Sequence, residues 1–240
     1  MTFPLGFQAK PVWSPDGAFI AYESYQNDNL DIYYMGVDDT SIVPQALPGL
    51  SDAPDYAPSW SPAGRQIAYV SLRDGNQDIY VLDLDTSETF NLTMTPTRDE
   101  DYPAWSPDGT LVAYSAVDQG IEKIFVKSVI APDQPAQVIS RGSNPQWSPD
   151  GSSLIFTVES IEGTQFIVEP YVQGGITTPV ISVPYEATDP VWTDVPLPVA
   201  LVNAGGLELG VDGQLYEEQV IPREGDPPYG LQALPGVGGA

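Results

Sequence analysis

The chain has 240 residues, with 33 Asp and Glu against 8 Lys and Arg, a formal charge of −25. A single-sign field of this size repels polyphosphate and anionic membrane surfaces, which argues against nucleic acid and leaves cations and basic proteins as electrostatic partners. Neither cysteine nor histidine occurs, so disulfides, thiolate metal sites and imidazole-dependent triads are excluded.

Met1 to Gly6 lacks the basic and apolar regions of a signal peptide. Residues 1–9 are expected to add an outer strand to one copy of the unit that follows. The first copy spans about 10–49. It holds Pro11-Val12-Trp13-Ser14-Pro15-Asp16-Gly17, then Ile20-Ala21-Tyr22, then Asp31-Ile32-Tyr33. The second, about 50–96, repeats this as Pro58-Ser59-Trp60-Ser61-Pro62-Ala63-Gly64, Ile67-Ala68-Tyr69 and Asp78-Ile79-Tyr80, with a fourth run at Thr89 to Thr93. Ala63 replaces the usual aspartate, so its turn loses a local acceptor. The third, about 97–140, carries Trp105-Ser106-Pro107-Asp108-Gly109 and Val112-Ala113-Tyr114, and Lys123 takes the place of Asp31 and Asp78. The fourth, about 141–187, has Trp147-Ser148-Pro149-Asp150-Gly151 and Leu154-Ile155-Phe156, with Gln165 at that same place. A shortened fifth, about 188–221, opens on Pro190-Val191-Trp192, and its strands are expected at Val199-Ala200-Leu201, Leu207 to Leu209 and Gln214 to Ile221. Residues 222–240 are rich in Pro and Gly and read as a linker or a strap. No stretch is apolar for long enough to span a membrane as a helix.

The five tryptophans are 47, 45, 42 and 45 residues apart, each with a proline two residues before it. Apolar runs follow at fixed offsets, so length varies only between units. Strands hold register because a one-residue slip inverts their faces, while peripheral connections absorb insertions. Pro-Asp-Gly supplies a tight turn after the tryptophan strand, and Asp74-Gly75-Asn76 reads as a hairpin. Four short strands per unit at this period predict an all-β fold. The expected form is a β-propeller of four clear four-stranded blades plus a shortened fifth, spanning residues 1–221, as an open or truncated ring, one that closes with fewer blades, or one completed by another chain. The tryptophans are expected to fill the wedges between blades.

The Trp-Ser-Pro-Asp-Gly…Ile-Ala-Tyr…Asp-Ile-Tyr unit resembles the WD40-like PD40 repeat of the TolB family, over roughly residues 10–193. The resemblance implies a propeller that binds partner proteins at the cell surface, outside the cell or in the periplasm. TolB itself has six blades and a separate N-terminal domain, which has no counterpart in this sequence. Related propellers precede the catalytic domain of prolyl-oligopeptidase-like peptidases. The motif is structural and carries over no catalytic residue.

Catalytic motifs are absent: there is no Gly-Xaa-Ser-Xaa-Gly elbow, phosphate loop or dinucleotide fingerprint. What remains is carboxylate chemistry. Asp55, Asp101 and Asp189, near the starts of the tryptophan strands, are candidate ligands for a calcium-like ion at the central channel. Tyr25, Tyr56 and Tyr102 are candidate partner contacts, with packing between blades as their other role. Three functions follow. The first is a non-catalytic protein-binding or scaffold module, with a basic protein or another copy as partner. The second is the propeller of a larger hydrolase, or a carboxylate- and calcium-dependent hydrolase. The third is self-assembly through open blade edges.

Overall fold

The computed structural model describes residues 7–26, 28–37, 43–171, 178–183, 187, 190 and 192, together with strands at 207–209, 215–217 and 232–233. The chain divides into two compact units, Met1–Trp192 and Thr193–Ala240. Its described residues contain strands and turns and no α-helix.

The first unit is the repeat made into sheets. Blade one is β1 (Gln8–Trp13), β2 (Phe19–Gln26), β3 (Asn29–Gly36) and β4 (Gln45–Ala46). Blade two is β5 (Asp55–Trp60), β6 (Gln66–Ser71), β7 (Asp78–Asp83) and β8 (Thr89–Asn91). Blade three is β9 (Glu100–Trp105), β10 (Leu111–Asp118), β11 (Ile121–Ser128) and β12 (Gln137–Arg141). Blade four is β13 (Ser143–Trp147), β14 (Ser153–Ser160), β15 (Gly163–Pro170) and β16 (Thr178–Val183). Every blade pairs antiparallel in sequence order. The register repeats as well: Ile20 faces Trp13, Ile67 faces Trp60, Val112 faces Trp105 and Leu154 faces Trp147.

The core lies between blades. Ala68, Val70, Ile79 and Val81 of blade two pack on Trp105, Val112, Tyr114 and Phe125 of blade three. Blades three and four share a second cluster around Trp147, Leu154 and Phe156, and blades one and two a third around Ile32, Ile67 and Tyr69. Middle blades are covered on both faces, so β6 and β7 are buried almost throughout. That is why their sequences are continuous apolar runs rather than an in–out alternation.

Three of the tryptophans act as hydrogen-bonded wedges. The indole Nε1 of Trp105 donates to the Ser59 carbonyl at 3.1 Å, Trp147 to Ala104 at 3.2 Å and Trp192 to Gln146 at 3.3 Å. Each acceptor is the residue just before the previous blade's tryptophan. The wedge expectation fails for Trp13, which is 59 % exposed.

The Ser-Pro-Asp-Gly turns are closed by their own side chains. Ser14, Ser106 and Ser148 donate to Asp16, Asp108 and Asp150 at 2.6–2.7 Å, and each serine Oγ accepts the amide of the next strand's first residues. In blade two, Ser61 keeps the second bond, to the Gln66 amide, while Ala63 offers no carboxylate.

Two segments differ from expectation. Gln8 and Ala9 pair with Ser24 and Glu23, so they lengthen the first strand of blade one and are not an outer strand elsewhere. The reason is register: β5 and β9 also begin five residues before their tryptophans. In the second unit, β17 (Leu207–Leu209), β18 (Leu215–Glu217) and β19 (Gln232–Ala233) form a three-stranded antiparallel sheet. Its third strand comes from within residues 222–240. The expected strand at Val199-Ala200-Leu201 lies outside the described residues.

Candidate functional site

The first strand of each blade is bulged at the same place. Pairing shifts between Ala9 and Val12, between Tyr56 and Ser59, between the partners of Ala113 and Ser115, and between Ser143 and Gln146. The residue three before each tryptophan has a positive φ: Lys10 49°, Ala57 50°, Tyr102 54° and Asn144 52°. None is glycine, so each position costs about 1–2 kcal/mol against an ordinary strand conformation. A proline follows every one of them. Having no N–H, it leaves no ladder donor stranded by the bulge.

The bulge aims these four positions at a common space. Lys10, Ala57, Tyr102 and Asn144 line a channel of about 470 Å³, together with Pro11, Pro58, Pro103 and Pro190. The channel thus takes a wall from each of the four described blades, and the repeat position facing it carries a different side chain in each. The Lys10 ammonium lies 5.1 Å from the centre of the Tyr102 ring, a cation–π distance across blades one and three.

Acids crowd beside this opening. Burial raises the Asp101 carboxyl to about 6, Lys10 opposes the rise, and the charges of Glu23 and Glu122 add to it. Asp101 also accepts the Tyr102 amide at 2.7 Å. Glu23, 7 % exposed, accepts the Ala57 amide at 2.9 Å and so ties blade one to blade two at the bulge. Glu122 is solvent-exposed on β11, and partial desolvation first, then the charge of Glu159, raises its carboxyl. The Tyr56 hydroxyl is pushed up by burial and then by Asp101 and Glu23. The structure therefore brings Lys10, Glu23, Tyr56, Asp101, Tyr102 and Glu122 to one place. Lys10 carried no signal in the sequence because nothing there marks a bulge, and Glu23 and Glu122, on β2 and β11, none because nothing marks which residues of other strands meet it.

The other candidates go elsewhere. Asp55 is fully buried, accepts the amide and hydroxyl of Ser51 at 2.7 and 3.1 Å, and lies 3.5 Å from Arg73. It fastens the link between blades one and two and is not among the channel-lining residues. Asp189 lies outside the described residues. Asp55, Asp101 and Asp189 stand five, four and three residues before their tryptophans, hence at three different register positions. Among the described residues no three metal-ligating side chains cluster. Tyr25, at the end of β2, is 48 % exposed and its amide donates to the Phe7 carbonyl. Tyr56 also packs against the core between blades two and three.

A second acidic pair sits buried between blades two and three. Glu100 is fully buried and receives the hydroxyls of Thr95 and of Thr93, the latter at 3.1 Å. Asp78 lies 3.2 Å from the same Thr93 hydroxyl, whose one proton the two acids share, and accepts the Thr95 amide at 3.1 Å and the Asn91 side-chain amide at 2.8 Å. Burial, with Asp78 beside it, raises Glu100 from 4.5 to about 8. The native state therefore holds a proton that the unfolded chain releases above about pH 4.5. Stability from this group is complete below that value and is lost as pH rises through about 8. Glu100→Gln should gain of order 2 kcal/mol over the parent at pH 8 and little at pH 4, since the amide keeps the hydrogen bonds without the buried charge. Urea unfolding at several pH values checks this; parallel pH profiles for the two proteins would refute it.

The family model for the TolB β-propeller domain, PD40, matches residues 6–194. TolB from Acinetobacter baumannii is similar at 18 % identity and a TM-score of 0.60, over 90 % of this chain and 49 % of that one. A putative TolB from Agrobacterium tumefaciens is similar at 19 % identity and 0.64, over 74 % and 63 %. A puromycin-hydrolyzing peptidase of Mycobacterium tuberculosis is similar at 14 % identity and 0.57, over 88 % and 34 %. These likenesses establish the fold alone, and the chain spans between a third and two thirds of each of these structures. No curated protein matches the chain.

Proposed function

The chain belongs to the TolB β-propeller domain family, PD40, and from that premise we propose that it is a non-catalytic protein-binding module of a cell-envelope or cell-surface protein. The observation that carries the reading is the set of four bulges, which turns Lys10, Ala57, Tyr102 and Asn144 onto one channel. Backbone strain repeated at a single lining position is characteristic of recognition sites held by a rigid scaffold. The neighbouring acids, Glu23, Asp101 and Glu122, and the overall charge of −25 favour a basic segment of the partner.

The test is photo-crosslinking from position 102, with a control crosslinker at Val138 on the outermost strand β12, in extracts of the source cell envelope. A discrete protein adduct from position 102 that fades with added salt is expected. Equal labelling from position 138, or none from 102, sinks the proposal.

A second reading has one observation behind it, the likeness to the puromycin-hydrolyzing peptidase, of whose chain this one spans 34 %. On that reading the propeller gates access to a separate hydrolase domain. An adduct formed only with a hydrolase from the same extract would favour it.

A further inference from the structure

Beyond the tryptophan end of the first strands lies a cavity of about 530 Å³ between blades one and two. It shares no lining residue with the channel. Phe19, Tyr34 and Trp60 line it, with Leu47 and Ala63, and Asp16 stands at its solvent edge. No lysine or arginine is among its lining residues.

Two of the three aromatic residues break the repeat. Phe19 occupies the place held by Gln66, Leu111 and Ser153 in the later blades. Tyr34 occupies the place held by Val81, Val126 and Val168, and pairs with the small Ala21 as Val81 pairs with Ala68. Propeller packing does not ask for an aromatic at the Tyr34 place, since Val81 fills it between blades two and three and Val126 between blades three and four. The Phe19 and Tyr34 rings stand edge to face, with centroids 6.0 Å apart and planes at 61°. Tyr34 and Trp60 pack against the core shared by blades one and two and, with Phe19, wall the cavity beside it. The indole N–H of Trp60 is buried without an acceptor, whereas Trp105, Trp147 and Trp192 all reach the blade before them.

The electrostatics of the cavity favour one class of ligand. Asp16 is held as a carboxylate by the Ser14 hydroxyl at 2.6 Å and the Ala18 amide at 3.0 Å. Ala63, where the other turns carry aspartate, leaves the opposite rim apolar. Three aromatic residues with one carboxylate and no competing cation suit a bulky, weakly hydrated cation. A strongly hydrated metal ion would find only one carboxylate here, too few oxygen ligands to replace its water. We propose that this cavity binds an alkylammonium group, held by the Phe19, Tyr34 and Trp60 rings and paired with Asp16.

Isothermal titration of the full chain with tetramethylammonium, against its uncharged analogue neopentyl alcohol at matched ionic strength, tests this. Saturable binding of the cation is expected, about ten-fold tighter than of the alcohol. Tyr34→Val installs the residue of the other blades and leaves the net charge unchanged; it should weaken the cation at least about ten-fold, which separates the cavity from diffuse attraction to an acidic surface. Asp16→Asn, an exposed change that leaves the core intact, should weaken it about five-fold. Binding of the alcohol with equal strength, absence of saturable heat, or affinity unchanged in either variant overturns the proposal.

Discussion

Replacing Trp105 by alanine should cost about 4 kcal/mol and lower the melting temperature by roughly 10 °C. Trp105 is 7 % exposed and packs with Ala68, Val70 and Ile79 of blade two and Val112 and Tyr114 of blade three. Its removal leaves a void between two sheets whose backbones are fixed by their own ladders, so little collapse follows. The Ser59 carbonyl also loses its 3.1 Å donor, a penalty of about 1 kcal/mol when no water enters. Trp13→Ala is the informative comparison. It removes the same residue from the same motif, but Trp13 is 59 % exposed, and the expected loss is below about 1 kcal/mol. Urea unfolding followed by circular dichroism checks both. Equal losses would mean that the tryptophan serves its own blade and not the interface.

Gly142→Ala should cost about 3 kcal/mol. A β-carbon there would stand 2.6 Å from the Phe156 ring and 2.6 Å from the Thr157 carbonyl oxygen. Phe156 is fully buried and the oxygen belongs to β14, so neither yields freely. Overpacking of this kind costs about 1–3 kcal/mol, and the φ of +143° adds about 1 kcal/mol for a residue with a side chain. Gly75→Ala separates the two effects. Its φ is +99° with nothing within 4 Å of the added atom, so only the conformational part, about 1 kcal/mol, should appear. A thermal melt of the two variants side by side decides it; similar shifts would remove the steric account. Gly142 stands where blades two and three carry Asp55 and Glu100, so blade four fills with backbone and Phe156 the space that its neighbours give to a buried carboxylate.

That comparison shows how much of the site could be read from sequence. Tyr102 and Asp101 were visible because they stand beside a motif with a fixed register. Asp55 looked equivalent to Asp101, yet it lies one register step away and is buried against Ser51 and Arg73. In a strand one step inverts the face, and a bulge inverts it again. The positive φ at Lys10, Ala57, Tyr102 and Asn144 left no glycine behind as a sign. The prolines after them were legible but pointed only to a strand edge or turn. That Tyr34 stands where the other copies carry valine is legible from the repeat, but that it walls a cavity between blades one and two is not.

The sequence by itself determined the blades. Tryptophans spaced 42–47 residues apart, Ser-Pro-Asp-Gly turns and apolar runs at constant offsets are local signals, and each blade is a local antiparallel sheet whose pairing is set by short connections. It also determined, through charge and the lack of histidine and cysteine, which chemistries are closed to the chain. The tertiary structure alone decided which acids meet across blades, which first-strand residues face the channel, and where a gap opens between blades one and two. Those outcomes depend on contacts between residues twenty or more positions apart and on a backbone kink, and neither leaves a periodic trace along the chain.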